Sequence, residues 1–292
     1  MNMSEHERCP ICNKLSPLKF QENIDRQRFN PTTYGSRKAP ELMHYEMFEC
    51  QNCDFLFSVS GPNSEELRRL YFASDFDSPR EAKLAALTYW REISSRRLDH
   101  SSTLDVGTGE GSFLSLCVMH GSTKVRGLEP SRAARDRAPE SVREMIVLGS
   151  FEQEQASPVY SLVTLFQTIE HLRNPGDFLD FARDSLIEGG TVAIACHDYR
   201  YPLNRILGKK SPIFDIEHLQ LFSRKSVSRL ILQAGFRNVS VRRYWNRYPV
   251  SYLLKLSPFG TRLSQILSNS NSAWLRLAIP VMLGNLFVTG TK

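Results

Sequence analysis

Glycine recurs at alternate positions directly after a short apolar stretch that ends near residue 106. Asp105, Gly107, Gly109 and Gly111 form an Asp-x-Gly-x-Gly-x-Gly pattern, and an amphipathic stretch follows it. This arrangement predicts a strand that enters a glycine turn and continues into a helix. Because glycine has no Cβ, the backbone can turn sharply and a ligand can lie against the main chain at the helix N-terminus. The segment therefore predicts a site for a nucleotide-like ligand.

The spacing of these glycines distinguishes a dinucleotide-binding site from other sites for nucleotide-like ligands. The dinucleotide fingerprint Gly-x-Gly-x-x-Gly needs a small residue three positions after Gly109, and Ser112 meets that need only in part. The next apolar stretch ends in Glu129, where an acidic side chain is needed to hold ribose hydroxyls. Taken alone, the glycines also fit a tight connection in another doubly wound protein, and Glu129 alone fits a solvated carboxylate.

Strand and helix patterns alternate along the chain. Helices are predicted over 63–72 and 80–97, and a further helix over 224–234 is bounded by Ser223 and Gly235. Strands are predicted near 102–106, 124–129, 144–149, 161–167, 191–197, 238–245 and 286–291. The first five of these strands alternate with helices, which predicts an α/β fold in which helices cover both faces of a parallel sheet, and the last two are further strand candidates.

The ordered set of motifs resembles the class I S-adenosylmethionine (SAM)-dependent methyltransferases. Residues 104–111 and Glu129 resemble the first two motifs of that family, and 161–175 resemble the fourth, in which a Glu-His pair follows a strand. Residues 188–195 and 218–236 resemble the turn into the fifth strand and the helix after it. The resemblance covers about residues 101–245 and implies a Rossmann-like seven-stranded sheet that binds SAM.

The resemblance also implies which residues contact the cofactor. They are Asp105, Gly107, Gly109, Gly111, Glu129, Ser150, Phe151 and Gln167. Two positions depart from the family pattern. Ser161 stands where an acid is common before the fourth strand, and Ser150 and Phe151 replace an acid that often follows the third.

Two Cys-x-x-Cys pairs, Cys9 with Cys12 and Cys50 with Cys53, lie near the N-terminus. Each pair suits a knuckle that points two thiolates at one tetrahedral metal, and zinc is the usual metal for four sulfur ligands. The rival interpretation is a redox or disulfide role. The first residues form no apolar signal segment, so we expect a cytoplasmic protein whose thiols stay reduced, which favours zinc. We interpret Cys117 and Cys196 as small buried hydrophobes.

Residues 48–71 resemble a subset of these methyltransferases that carry a zinc-binding segment ahead of the SAM domain. Members of that subset often modify sugars or other small biosynthetic molecules, and this substrate class is implied by the resemblance alone. We expect a zinc-ribbon-like module at 1–62, a helical linker at 63–100 and the methyltransferase domain at 101–292. A chain of 292 residues is long enough for this arrangement.

The net charge of the protein does not by itself identify the kind of partner that it binds. The formal net charge is +6, and the basic residues form isolated doublets such as Arg68-Arg69 and Arg242-Arg243 without a basic run. Residues 246–284 form an insertion, punctuated by proline and glycine, that we expect to contain short helices and to cover the site or meet a partner. Its apolar stretch at 273–283 is too short to span a membrane and is interrupted by Arg276 and Pro280. Packing on the SAM domain is favoured, and peripheral contact with lipid stays open.

Three histidines fall in loops expected at the carboxyl ends of strands, where open α/β sheets bind ligands. They are His171, His197 and His218. A base is needed only if the methyl acceptor must lose a proton. We rank His218 first and His171 second as catalytic candidates, and the alternative for each is a structural histidine that caps a loop. Glu170 and Glu217 precede two of them and are candidates to orient their neighbours.

We therefore predict a SAM-dependent methyltransferase that acts on a small-molecule or sugar acceptor, at oxygen or carbon. Two alternatives remain. The first is an RNA or protein methyltransferase that docks through the zinc module and the basic doublets. The second is a regulatory protein that binds SAM without turnover. The sequence does not name the acceptor or the oligomeric state.

Overall fold

A seven-stranded sheet forms the centre of the computed structural model, which describes residues 5–28, 33–35, 41–75, 79–256 and 273–292. The strands that make up this sheet are β5 (Ser102–Val106), β6 (Lys124–Glu129), β7 (Ile146–Leu148), β8 (Tyr160–Phe166), β9 (Leu186–His197), β11 (Arg237–Arg243) and β14 (Asn285–Thr291). Their order across the sheet is β11-β14-β9-β8-β5-β6-β7. All seven fall where the sequence predicts strands, and β9 starts earlier than predicted.

The sheet is mixed: the five strands predicted to be parallel are parallel, and the two later strands complete the sheet with antiparallel pairing. Strand β14 runs antiparallel to both of its neighbours, with Phe287 opposite Ala195 on β9 and opposite Arg242 on β11. The pairs among β5, β6, β7, β8 and β9 are parallel. Their carboxyl ends therefore meet at one edge, where a ligand site is expected.

Helices cover both faces of the sheet. They are α1 (Ser64–Phe72), α2 (Pro79–Ser95), α3 (Ser112–Met119), α4 (Arg132–Asp136), α5 (Glu140–Arg143), α6 (Pro175–Ser185), α7 (Pro202–Leu207), α8 (Arg224–Gln233) and α9 (Val250–Leu256). Adjacent residues of β8 face opposite sides, because Leu162 packs in a cluster with Tyr89 of α2 while Val163 packs in another with Phe178 of α6. Alternation along a strand thus divides the core into two layers.

The cysteine-bearing segment is built of short antiparallel strands. They are β1 (His6–Arg8), β2 (Leu15–Phe20), β3 (Met47–Cys50) and β4 (Phe55–Phe57). A fifth strand, β10 (Gln220–Leu221), comes from far along the chain and pairs antiparallel with β4. The ring of Phe222, just after β10, lies 5.1 Å from that of Phe55. The segment and the large sheet therefore share core.

The described residues of the insertion at 246–284 include one α-helix and two paired strands. Its described part holds β12 (Asn246–Pro249), α9 and β13 (Ala278–Val281), and β12 pairs antiparallel with β13. The predicted structure at 257–272 lies outside the described residues. Among the helices that the structure describes, we find none with the length and apolar character needed to cross a membrane.

Candidate active site

The glycine turn lies between β5 and α3, as the sequence predicts. Gly107, Gly109 and Gly111 have φ angles of 71°, 58° and 72°, in the left-handed region where a side chain is disfavoured. A Cβ on Gly107 would lie 2.4 Å from Oγ1 of Thr168, on the loop after β8. Position 107 therefore requires glycine for two reasons. The backbone adopts a left-handed conformation, and it passes so close to the neighbouring loop that a side chain would overlap with Thr168.

Gly111 has a different role from the other two glycines. It is the N-cap residue of α3, and a Cβ there would lie 3.0 Å from side-chain carbons of Val142 and Ile146. Within the described ranges, Gly111 is not among the residues that line the cavity beside the turn. The absence of a side chain at 111 lets the start of α3 pack closely on Val142 and Ile146.

Glu129 braces the turn from the end of β6. Its Oε2 accepts a hydrogen bond of 2.7 Å from the backbone amide of Gly109, and its Oε1 accepts one of 2.9 Å from the amide of Ser131. The carboxylate is almost fully buried, and this desolvation raises its pKa to about 7 although both hydrogen bonds favour the ionised form. The predicted ribose-binding acid is thus held rigidly beside the glycines.

Asp105 lies at the end of β5, under the turn. It accepts a 2.6 Å hydrogen bond from Oγ1 of Thr164 on the adjacent β8. Burial raises its pKa to about 6, partly offset by the hydrogen bond from Thr164. The carboxylate therefore ties two neighbouring strands together at the point where the glycine turn begins.

A cavity of about 590 Å³ opens over the carboxyl ends of the parallel strands. The cofactor-contact residues predicted from the sequence, apart from Gly111, line it together: Asp105, Gly107, Gly109, Glu129, Ser150, Phe151 and Gln167. Gln167 has a positive φ of 52°, and its Nε2 is buried with no hydrogen-bond partner among the described residues. A buried amide donor without a partner is costly, so the cavity offers an unused donor to a polar ligand.

Three histidine rings also line the same cavity. The centroid of the His218 ring lies 4.8 Å from that of His171 and 5.4 Å from that of His197. These residues come from three separate loops, after β8, after β9 and before β10. The sequence prediction that the three loops share one edge of the sheet therefore matches their position in the cavity.

Hydrogen bonds at Nδ1 define the ring orientation of two of these histidines. Nδ1 of His218 donates to the carbonyl oxygen of Ile213 at 2.7 Å. Nδ1 of His197 donates to Oδ1 of Asn285 at 3.0 Å. In the neutral ring each therefore carries its lone pair on Nε2, the form that accepts a proton.

His171 has a partner that the sequence analysis missed. The hydroxyl of Tyr71, on α1, lies 2.7 Å from Nδ1 of His171. Burial and the nearby carboxylates of Glu217, Asp215 and Glu129 hold the pKa of Tyr71 well above its ordinary range. The phenol therefore stays protonated, and when it donates to Nδ1 the ring proton of His171 lies on Nε2. No local pattern in α1 could show which face meets the cavity.

Glu170 does not orient His171, although the two are adjacent. It is fully buried, and its Oε1 accepts a 2.6 Å hydrogen bond from the backbone amide of His197. Its Oε2 is buried without a hydrogen-bond partner among the described residues. Burial raises the pKa of this carboxyl to about 7. Glu170 therefore fixes the end of β9, where His197 begins its loop.

The insertion contributes aromatic residues to the cavity. Tyr248 on β12 and Tyr252 on α9 line it, and their rings stack with centroids 5.5 Å apart. Asp215 and Glu217 line the same region beside the histidines. Nothing in the local sequence distinguishes Tyr248 and Tyr252 from ordinary core tyrosines, so they were not predicted.

The four N-terminal cysteines meet at one point. Their sulfur atoms all lie within 4.8 Å of one another, and all four thiols are free. The two knuckles match: Asn13 and Asp54 each lie four residues after the first cysteine, have φ near 56°, and donate their amides back to Cys9 and Cys50 at 2.8 Å. This paired geometry and the tetrathiol donor set fit a tetrahedral zinc ion.

Comparisons with known proteins agree with this geometry. Residues 76–241 match a family described as "Methyltransferase domain". A comparison with curated protein sequences gave no match.

Several solved structures share the fold. A SAM-dependent methyltransferase from Archaeoglobus fulgidus is 16% identical with a TM-score of 0.50, over 79% of this chain and 100% of that one. A putative methyltransferase from Bacillus halodurans C-125 is 14% identical with a TM-score of 0.51, over 70% and 97%. The YcgJ protein from Bacillus subtilis is 14% identical with a TM-score of 0.51, over 70% of this chain and 98% of that one. The family match covers more than half of the chain, which therefore belongs to the methyltransferase-domain family and is a SAM-dependent methyltransferase with a Rossmann-like fold.

Proposed function

We propose that this protein transfers a methyl group from SAM to a small-molecule or sugar acceptor, at oxygen or carbon. The observation that carries the proposal is one cavity of about 590 Å³ that is lined both by the glycine turn with Glu129 and by three histidines. A cavity of this size suits a cofactor and a compact acceptor. Both reactants would then share an enclosed space from which water is largely excluded.

In this proposal the ribose hydroxyls of SAM donate to Glu129, and the methionine end lies over Gly107 and Gly109. Ser150 and Phe151 contact the adenine, and Gln167 supplies its buried Nε2 as a donor. Asp105 supports the turn from below. SAM brings a methyl group already activated by the positive sulfur, so the protein's main task is to align the acceptor. The crowded approach of Gly107 to Thr168 and the unused Gln167 amide support this placement.

We assign His218 as the general base, with His171 second. The hydrogen bond from Nδ1 of His218 to Ile213 leaves its Nε2 lone pair as the proton acceptor. Tyr71 gives His171 the opposite arrangement, with Nε2 as a donor. The two rings would therefore act differently on one acceptor: His218 removes a proton, while His171 donates a hydrogen bond to an oxygen on the same molecule.

The charges of the lining favour a small polar acceptor over RNA. Among the described residues that line the cavity, seven are acidic and two are arginines. Such a wall repels phosphates and accepts hydrogen bonds from hydroxyl or amino groups. Asp215 and Glu217 lie on the histidine side, where the acceptor would bind. The RNA or protein alternative has no comparable support inside the cavity.

We propose that Cys9, Cys12, Cys50 and Cys53 hold one structural zinc ion in a cytoplasmic protein. The zinc module would comprise 1–62, followed by the linker at 63–100 and the methyltransferase domain at 101–292. Contacts beside the cluster support a role for the module in shaping the cavity. Nη2 of Arg200 donates to Oδ1 of Asp54 at 2.8 Å, and Nη1 of Arg173 donates to the carbonyl oxygen of Ser60 at 3.0 Å. Both arginines follow strands of the large sheet, close to His197 and His171.

Transfer of a labelled methyl group tests the proposed function. The purified protein and methyl-labelled SAM would be offered three substrate pools: sugars and other small hydroxylated compounds, total RNA, and unfolded protein. We expect label in the first pool alone. Label confined to RNA or protein would support the docking alternative, and SAM binding without transfer to any pool would support the regulatory one.

A further inference from the structure

Charge is strongly segregated along the chain. The last 75 residues, 218–292, contain 11 lysines and arginines and no aspartate or glutamate. The preceding 217 residues contain 26 basic and 31 acidic residues, so the positive net charge of the whole protein arises after Glu217. The asymmetry is not obvious in the sequence, because the basic residues occur singly or in pairs and form no long basic run. Charge asymmetry of this kind points to a polyanionic partner.

Part of this charge lines a groove at one edge of the large sheet. Helix α8 packs beside the edge strand β11, and Arg224, Lys225 and Arg229 line the groove between them. Nη2 of Arg224 donates to the carbonyl oxygen of Val241 at 3.2 Å, which ties the helix to the strand. Leu232 also lines the groove, although 54% of its surface is exposed. The groove therefore combines fixed positive charge with exposed aliphatic surface.

Basic and aromatic residues are also exposed along the chain beyond β11. Residues 243–248 alternate between exposed and buried, with Arg243, Trp245 and Arg247 pointing outward. Trp245 is 56% exposed. It lies between Arg243 and Arg247, which are at the neighbouring exposed positions. Arg243 is anchored by a 2.8 Å ion pair with the buried Asp198, while Arg247 lies opposite Pro280 on β13.

Further apolar side chains lie on the neighbouring segment. Leu277 is 60% exposed, and its carbonyl oxygen accepts a 3.0 Å hydrogen bond from the amide of Val250 at the start of α9. Trp274 and Ile279 are also exposed. We call Arg224, Lys225, Arg229, Leu232, Arg243, Trp245, Arg247 and Leu277 the C-terminal basic face.

We propose that the C-terminal basic face docks this enzyme on an anionic phospholipid bilayer. Lysine and arginine side chains are attracted to negative headgroups, while tryptophan and leucine gain by entering the interface. Trp245 offers a ring on which a nucleic-acid base can stack, whereas the exposed aliphatic side chains of Leu232 and Leu277 gain only by leaving water, so the face as a whole suits a lipid interface better than RNA. Tyr252 and Leu253 line the cavity and follow β12 directly, so docking would bring the cavity close to the membrane.

Vesicle sedimentation tests the proposal with the full-length protein. We would compare vesicles of phosphatidylcholine alone with vesicles of phosphatidylcholine and phosphatidylglycerol in equal parts. The test variant is Lys225→Glu/Arg247→Glu. Its control is Lys124→Glu/Arg137→Glu, which makes the same change in net charge at exposed positions near the opposite edge of the sheet. Thermal unfolding of each variant reports on folding.

The wild type and the control should sediment with the anionic vesicles and not with the neutral ones. The test variant should bind them about tenfold or more weakly, since each basic residue near a charged membrane contributes substantially to affinity. Trp245→Ala should weaken binding even at high salt, because its contribution is apolar. The proposal is wrong if the folded wild type binds neither vesicle, if both double variants lose binding equally, or if a single-stranded RNA is bound through Lys225 and Arg247 while vesicles are not.

Discussion

The hydroxyl of Tyr71 and Nδ1 of His171 lie 2.7 Å apart, although 100 residues separate them in the chain. Tyr71 belongs to α1, which the sequence analysis treats only as a linker between the metal module and the SAM domain. The contact makes α1 part of the cavity wall. It also distinguishes His171, which is hydrogen-bonded to a phenol, from His218, which is hydrogen-bonded to a carbonyl. The two histidines are therefore expected to differ in function.

The first prediction concerns the histidines. His218→Ala should lower turnover by roughly 10²- to 10⁴-fold, the usual effect of losing a general base, while SAM affinity stays nearly unchanged. His171→Ala should lower turnover by a smaller factor. Tyr71→Phe should lower turnover by part of that factor, because it removes only the hydroxyl that donates to His171.

His197→Ala is the matched control, since His197 is in the same cavity but ranks lowest as a base. Single-turnover rates with the acceptor identified in the labelling experiment check this order. Near-normal rates in both His218→Ala and His171→Ala, with SAM still bound, would mean that catalysis depends on alignment alone.

The second prediction concerns the glycine turn. Gly107→Ala should be destabilising because it combines a left-handed backbone with a Cβ 2.4 Å from Thr168 Oγ1. Gly121→Ala provides the control: Gly121 also has a positive φ, of 91°, but its Cβ would have open space. The control should lose about 1–2 kcal/mol from strain, and Gly107→Ala should lose about 1–3 kcal/mol more from overlap.

Denaturant unfolding measures both losses. Adding Thr168→Ala to Gly107→Ala should recover part of the difference, because it removes the atoms nearest to the new Cβ. Equal destabilisation of the two single variants would show that the contact with Thr168 has little influence on the turn.

Local sequence patterns predicted the elements that depend on neighbouring residues. The glycines, the acid at Glu129 and the two Cys-x-x-Cys knuckles are set by short-range backbone demands, so spacing alone located them. The antiparallel direction of β14 and the pairing of β10 with β4 join segments far apart in the chain. Which strand pairs with which is decided by tertiary packing, and a single sequence contains no direct information about that packing.

Side-chain orientation was equally hard to predict. Adjacency suggested that Glu170 orients His171, yet its carboxylate accepts from the amide of His197 instead. In the short turn after β8, neighbouring side chains point in different directions, so sequence adjacency does not imply contact. Tyr248 and Tyr252 likewise reach the cavity only because the insertion folds back over it.

The third prediction concerns metal. Elemental analysis of protein purified without chelator should find about one zinc per chain. Cys9→Ser or Cys50→Ser should lower the zinc content and the thermal stability together, because closed tetrathiolate sites stabilise small modules. Cys117→Ala removes a buried thiol outside the cluster and should keep the metal. Folded, fully active protein without zinc would contradict the proposed site.

The fourth prediction concerns pH. Burial raises the pKa of Glu170 from an ordinary value near 4.5 to about 7 in the folded protein. The folded state therefore holds a proton that the unfolded state has lost, so this group's contribution to stability is complete below about pH 4.5 and disappears as the pH rises through 7.

Glu170→Gln keeps an oxygen to accept from His197 but cannot ionise. Compared with the wild type, this variant should have little effect on the melting temperature at pH 5 and should raise it at pH 8. Thermal unfolding across that range checks the sign. A difference that is constant with pH would show that Glu170 does not titrate in this way.

The central claim is that the cavity binds SAM through Glu129 and the glycine turn. Titration calorimetry of SAM into the wild type, Glu129→Ala and Gly109→Val tests it most directly, with Gly121→Ala as a control outside the cavity. We predict that Glu129→Ala loses about 1.5–3 kcal/mol of binding free energy, the usual effect of losing hydrogen bonds to a charged group. Wild-type affinity should also weaken as the pH falls below 7, because the pKa of Glu129 is about 7 and protonation removes the charge that ribose hydroxyls favour. Unchanged SAM affinity in both Glu129→Ala and Gly109→Val would contradict the account.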